Sequence, residues 1–121
     1  MIEKYEFGML RVGGKKHRHY VIIYSEYSEK SRGSERVDPN WCRKEGHRLD
    51  PSDLEAVMKV RPEVLIVGTG YYGRMEVPKE TIDSLKGLGI DLYIEPTKVA
   101  CQKYNELKDT RKVAAALHLT C

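Results

Sequence analysis

Side-chain amides are almost missing from this chain: Asn40, Asn105 and Gln102 are the only ones. Charged residues, by contrast, reach 32%, above the roughly 25% usual for globular proteins. Heat selects for charge and against thermolabile side chains, so the composition points to a thermophilic source. Cysteine is scarce and odd in number. Cys42, Cys101 and Cys121 have no framework spacing, which argues against a secreted disulfide scaffold. No apolar run approaches the ~18 residues that would suggest a membrane span, and Met1 to Glu6 has no apolar leader core. A soluble, cytoplasmic protein without membrane contact is expected. Charge of one sign is also in short supply: 21 basic against 18 acidic residues leave a net +3. Non-specific nucleic-acid binding needs a clustered basic stripe, and arginines do not alternate with aromatics as on an RNA-binding sheet. No nucleic-acid partner is expected.

What is present fits one domain over residues 1–121. The apolar fraction is 40% and the aromatic fraction 8%, enough for a single core at this length. Tyr5, Phe7 and Met9 alternate with Glu6 and Gly8, the period of a strand. Gly13-Gly14 supplies a turn and His19 to Tyr24 the return strand of a hairpin. The basic cluster Lys15-Lys16-His17-Arg18-His19 then reads as a solvated hairpin tip. Ser25 to Asn40 is polar and aperiodic, a long loop, and Trp41 anchors a short extended piece because an indole is costly to leave in water.

From residue 50 the pattern changes. Asp50-Pro51-Ser52-Asp53 opens a helix, with Asp50 or Ser52 as cap and Leu54, Val57, Met58 and Arg61 on one face; Pro62 closes it. Val64 to Val67 is apolar on both faces and ends in Gly68-Thr69-Gly70. Pro78 opens a second helix on Ile82, Leu85 and Leu88, ended by Gly87 and Gly89. Ile90 to Ile94 is the next strand, Pro96-Thr97 starts a helix with Ala100, Tyr104 and Leu107 on one stripe, and Val113 to Leu119 is the last strand. Helices alternating with apolar strands predict an α/β fold with a largely parallel sheet; the N-terminal hairpin makes that sheet mixed or forms an extra layer beside it.

Gly68-Thr69-Gly70-Tyr71-Tyr72-Gly73 matches the dinucleotide fingerprint G-x-G-x-x-G, and Glu95 ends the next strand where a ribose carboxylate belongs. The helix must open inside that motif for its amides to meet the pyrophosphate. Here Arg74-Met75-Glu76-Val77 intervenes before Pro78, and two tyrosines fill the turn. No cofactor is therefore expected, and the glycines serve a sharp exit from the sheet. Cys42, His47, His118 and Cys121 have C-x4-H and H-x2-C spacings, but zinc would need the two pairs to converge, so no metal is assigned. Cys101, early in the third helix, is the one nucleophile candidate, since a helix N-terminus lowers a thiol pKa; packing on the sheet is the simpler account. Asp50, Asp53 and Glu55 are helix-start charges.

Trp41-Cys42-Arg43-Lys44-Glu45-Gly46-His47, Glu63 to Gly70, then Thr97, Ala100 and Tyr104-Asn105, then Val113 to the ending His118-Leu119-Thr120-Cys121 stand in order along nearly the whole chain. Together they resemble a small α/β family of unknown function. It includes the adipogenesis-associated cytosolic protein of animals and a mitochondrial complex I assembly factor. Gly73 is not a mark of that family. The resemblance implies a three-layer fold around a mixed central sheet, without a known activity, cofactor or catalytic residue, and an archaeal member is expected.

Two functional readings compete. The first is a non-catalytic interaction or assembly module, with a protein partner or a second copy. The second is a protein binding a small molecule or anion, or a small enzyme, with its pocket at the strand ends. Gly68-Thr69-Gly70 would form its edge, with the Gly68 and Gly70 amides pointing outward; Thr97 would cap the third helix, Arg74 would add charge, and Trp41, Arg43 and His47 would cover the rim.

Overall fold

The stretch Val64–Thr69 is uniformly buried, which a strand achieves only between neighbours on both edges and layers on both faces. The computed structural model, which describes residues 1–25, 35–38, 41 and 48–120, puts it there. This strand, β6, runs parallel to β7 (Asp91–Glu95) on one side and to β8 (Val113–His118) on the other. β8 pairs antiparallel with β4 (Val21–Ser25), and β4 with β5 (Glu35–Asp38), giving the order β5-β4-β8-β6-β7. A second, three-stranded antiparallel sheet is formed by β1 (Ile2–Glu6), β2 (Met9–Val12) and β3 (Lys15–His17).

Alternation along the central strands sends successive side chains to opposite faces. Ile23, Val64, Ile66, Val113, Ala115 and Leu117 face Ala100, Cys101 and Tyr104 of α3 (Thr97–Leu107) and Ile2, Leu10 and Val12 of the small sheet. Ile22, Leu65, Val67, Ala114 and Ala116 face Val57 of α1 (Glu55–Val60), Leu85 of α2 (Lys79–Gly87), Leu54 and Trp41. The result is the expected three-layer α/β arrangement around a mixed sheet. The Trp41 indole is buried and donates to the Asp53 carbonyl at 2.9 Å. Asn105, one of the rare amides, acts as a piece of strand. Its Oδ1 accepts the Ile2 N–H at 2.8 Å and its Nδ2 donates to the Ile2 carbonyl at 2.7 Å, tying β1 to α3.

Several sequence expectations need correction. Tyr5 to Met9 is not one strand: the chain turns at Phe7-Gly8, where Gly8 takes φ 76° and donates to the Leu119 carbonyl at 2.8 Å. The return strand after Gly13-Gly14 is Lys15–His17, and Val21–Ser25 instead enters the central sheet, where its unbroken burial is satisfied. The basic cluster is thus partly sheet, with His17 buried. Glu35–Asp38, read as loop, is an edge strand; residues 26–34 and 39–40 lie outside the described part. The helix after Asp50 opens with a 3-10 turn, Pro51–Leu54, and Arg61 is an exposed left-handed C-cap (φ 54°) rather than part of the buried stripe. On α2 the fully buried side chains are Thr81 and Leu85; the Thr81 hydroxyl bonds the Leu49 carbonyl at 2.8 Å. β7 is adjacent to β6 as expected, yet it is an edge strand and only partly covered, with Ile94 37% exposed.

Burial, with Lys15 adding repulsion, lowers the His17 pKa from its usual value. The unfolded chain therefore takes up a proton first as pH falls below about 6.5. The stabilising contribution is full above that value and is lost as pH falls through the lowered one. The melting temperature should drop between about pH 7 and 5, and His17→Gln should flatten that slope. An unchanged slope in the variant would contradict the assignment.

Candidate functional site

At the carboxyl ends of β6, β7 and β8 the chain makes its closest crossing. A Cβ on Gly68 would lie 2.8 Å from Thr97 Oγ1 and 2.9 Å from Leu117 Cδ2, so only glycine lets α3 seat on β6. Thr97, completely buried, uses its hydroxyl twice. It donates to the His118 carbonyl at 2.6 Å and accepts the Gly70 N–H at 2.8 Å. Its own N–H donates to the Gly70 carbonyl at 3.0 Å. Thr69 Oγ1 donates to the Glu95 carbonyl at 3.1 Å, and the Thr69 carbonyl accepts the Met75 N–H at 3.0 Å. Gly70 and Gly73 take φ 106° and 69°, the sharp exit expected of them.

These bonds correct two geometric expectations. Thr97 is not a cap: Pro96 occupies the N-cap position and Thr97 is the first residue of α3. The Gly70 amide does not point outward, because Thr97 has taken it. Arg74 is exposed, its guanidinium 5.3 Å from the Tyr72 ring centroid. Trp41 packs with Leu54 and Val57 on the α1 and α2 side of the sheet; its backbone N–H donates to the Tyr20 carbonyl at 3.1 Å, and Tyr20 stacks on buried His118 at 4.4 Å. Arg43 and His47 lie outside the described residues, as do Cys42 and Cys121 of the cysteine-histidine set. Among the described residues no group of three or more His, Cys, Asp and Glu side chains could hold a metal ion.

The rim instead presents aromatic rings. Phe7 from the β1–β2 turn meets Tyr71 edge-on at 5.6 Å and Tyr72 at 6.3 Å, and Tyr71 meets Tyr72 edge-on at 5.0 Å. All three are exposed, at 55%, 51% and 64%. Tyr5 joins them, 6.3 Å from Tyr71, its hydroxyl donating to the Leu119 carbonyl at 3.0 Å, and burial pushes its pKa up to about 12. A groove of about 450 Å³ runs beside them, lined by Tyr5, Glu6, Phe7, Tyr71 and Lys98. Period-two reading placed Phe7 inside a strand and so missed this face. Its signal was the pair Tyr71-Tyr72 directly after a strand-ending glycine, where no sheet alternation can bury them.

The whole framework, from β1 to β8, falls within a known family: residues 2–118 match the one described as protein of unknown function (DUF498/DUF598). The chain belongs to it. The chain is 27% identical to the conserved hypothetical protein PH1505 of Pyrococcus horikoshii OT3, with a TM-score of 0.79 over 100% of this chain and 99% of that one. A protein named MT938 is 26% identical, with a TM-score of 0.76 over 100% and 98%. A Bartonella henselae protein named as an outer membrane protein shares the fold at 24% identity, with a TM-score of 0.72 over 99% and 94%. Within the described residues of this family member, no helix is long and apolar enough to cross a membrane.

In this DUF498/DUF598 member α2 opens at Lys79, far past Gly70, so its amides stand away from the glycine turn that a pyrophosphate would need. Cys101 is buried against the core, and burial pushes its thiol up to about 12, opposite to what a nucleophile requires. The Thr97 hydroxyl is the structural centre of the rim. Thr97→Val would leave the Gly70 N–H and the His118 carbonyl without it inside a packed junction. The expected loss is about 1–3 kcal/mol in urea unfolding, with Thr97→Ser losing much less. Equal stability of the Val variant would contradict this role.

Proposed function

We propose that the protein is a non-catalytic assembly module whose docking face is the aromatic rim of Phe7, Tyr71 and Tyr72. The observation that carries this reading is the exposure of three mutually packed rings on one rim. Gly68, Thr69, Gly70 and Thr97 serve it by fixing where the chain leaves β6, and Trp41 by filling the core on the other face of the sheet. Exposed apolar clusters rimmed by polar groups mark interaction sites, and aromatic anchors dominate binding energy. The partner this face fits is a second copy of the chain. Glu6 and Lys98 line the same groove beside the rings, so a two-fold axis can set each Glu6 against the opposite Lys98. Lys4 already lies 3.0 Å from Glu6, both side chains being exposed, a contact worth little in water.

A second reading is favoured by one observation, the cationic Lys98 over the 450 Å³ groove: a small anion held there, with Arg74 adding charge. Kinship with the adipogenesis-associated and complex I assembly branch is supported by Tyr104-Asn105 and the ending His118-Leu119-Thr120-Cys121. An archaeal, thermophilic source is supported by the amide-poor composition, and a cytoplasmic location by the unframed cysteines.

Sedimentation at high micromolar concentration tests the assembly reading. The chain should run as a dimer, and Phe7→Ser with Tyr72→Ser as a folded monomer. Glu6→Lys and Lys98→Glu should each weaken the dimer about tenfold, and the two together should restore it. A monomeric parent protein, or charge variants that do not compensate, would overturn the self-association.

A further inference from the structure

We propose that a separate pocket, at the opposite end of the central sheet, binds a small carboxylate carrying an aliphatic tail. It lies where β8 begins and β4 ends, walled by Tyr24, Val60, Pro62 and Val113, and holds about 280 Å³. The walls are apolar for local reasons. Arg61 takes its left-handed turn just before Pro62, and proline brings no N–H to the lining. Ser25, the one hydroxyl-bearing aliphatic residue there, is already committed: it donates to the Arg111 carbonyl at 3.3 Å and accepts the Val113 N–H at 2.8 Å. A cavity so lined favours an apolar tail.

The lining also includes two cations, Arg36 and Lys112. The Arg36 guanidinium lies 4.2 Å from the Tyr24 ring centroid, and the Lys112 ammonium reaches the Val60 carbonyl at 3.4 Å. The long Lys112 contact is one that a carboxylate can replace with a stronger charge-assisted bond. Two acids lie nearby: Glu63, which accepts the Lys112 backbone N–H at 2.9 Å, and Asp38, on the same face of β5 as Arg36 and close enough to Tyr24 to act on its hydroxyl. The Lys112 ammonium beside an apolar chamber selects an anionic head with an uncharged tail. The volume equals about nine waters at about 30 Å³ each, so the tail is short.

Octanoate is the probe, titrated calorimetrically against the full chain, with octanol and octylammonium as controls. Saturable binding of one octanoate per chain is expected, with octylammonium silent and octanol weaker. Lys112→Glu should weaken octanoate about tenfold. Val60→Phe, which fills a half-buried position at the mouth, should abolish binding while keeping the parent circular dichroism spectrum. Tyr72→Ser, on the distant aromatic rim, should bind octanoate like the parent. Absence of saturable binding, equal binding of octylammonium, unchanged affinity in both pocket variants, or loss of binding in Tyr72→Ser would each overturn the proposal. None of these results bears on whether the aromatic rim self-associates, so the two readings fail separately.

Discussion

One hydroxyl, on Thr97, holds three segments of backbone together at the carboxyl ends of the parallel strands. It can do so only because Gly68 has no side chain: α3 starts so near β6 that any Cβ would overlap Thr97 and Leu117. That approach sets the bonds to Gly70 and His118, the direction in which the chain leaves β6, and the position of the loop carrying Tyr71 and Tyr72. A hydrogen bond in a dry junction contributes modestly when made and costs heavily when unmade. Such a junction therefore acts less as a source of stability than as a constraint on geometry.

The same constraint bears on two of the chemistries open to a glycine-rich strand end. An anion nest needs amides left over from the sheet, and here the Gly70 amide is spent on Thr97. A dinucleotide needs a helix opening within the glycine turn, and here the helix opens at Lys79. The rim presents Phe7, Tyr71 and Tyr72 to water, packed against one another. Rings packed edge to face lose little further freedom on docking, which is how aromatic anchors gain affinity at low entropic cost.

The layers and the parallel strands are legible because burial on two faces leaves no ambiguity: Val64 to Val67 and Val113 to Leu117 have no polar side to offer water. Helix starts at Pro51, Pro78 and Pro96 were legible for a similar reason, since proline punctuates the backbone directly. The N-terminal region misled because two glycine turns stand close together. Gly8 looked like a polar position in an alternating strand, and the Gly13-Gly14 turn was assigned the wrong partner strand. Short strands have too few residues for period alone to fix their ends. At the rim, the residue types are legible in the sequence and their partners are not. A threonine before a helix suggests a cap, and only the three-dimensional nearness of His118 and Gly70 shows that its hydroxyl is used across the sheet instead. Asn105 is the same lesson in reverse: no local pattern reveals that a side-chain amide will stand in for a strand against Ile2.

Hydrogen exchange at the Gly70 amide, followed by NMR with and without added phosphate, tests the central claim most directly. If Thr97 closes the rim, this amide exchanges only through the large openings that expose the core of β6, and phosphate leaves its shift and its rate unchanged. Rapid exchange at Gly70, or a saturable phosphate-induced shift there, would show an amide free to meet an anion and would contradict the account.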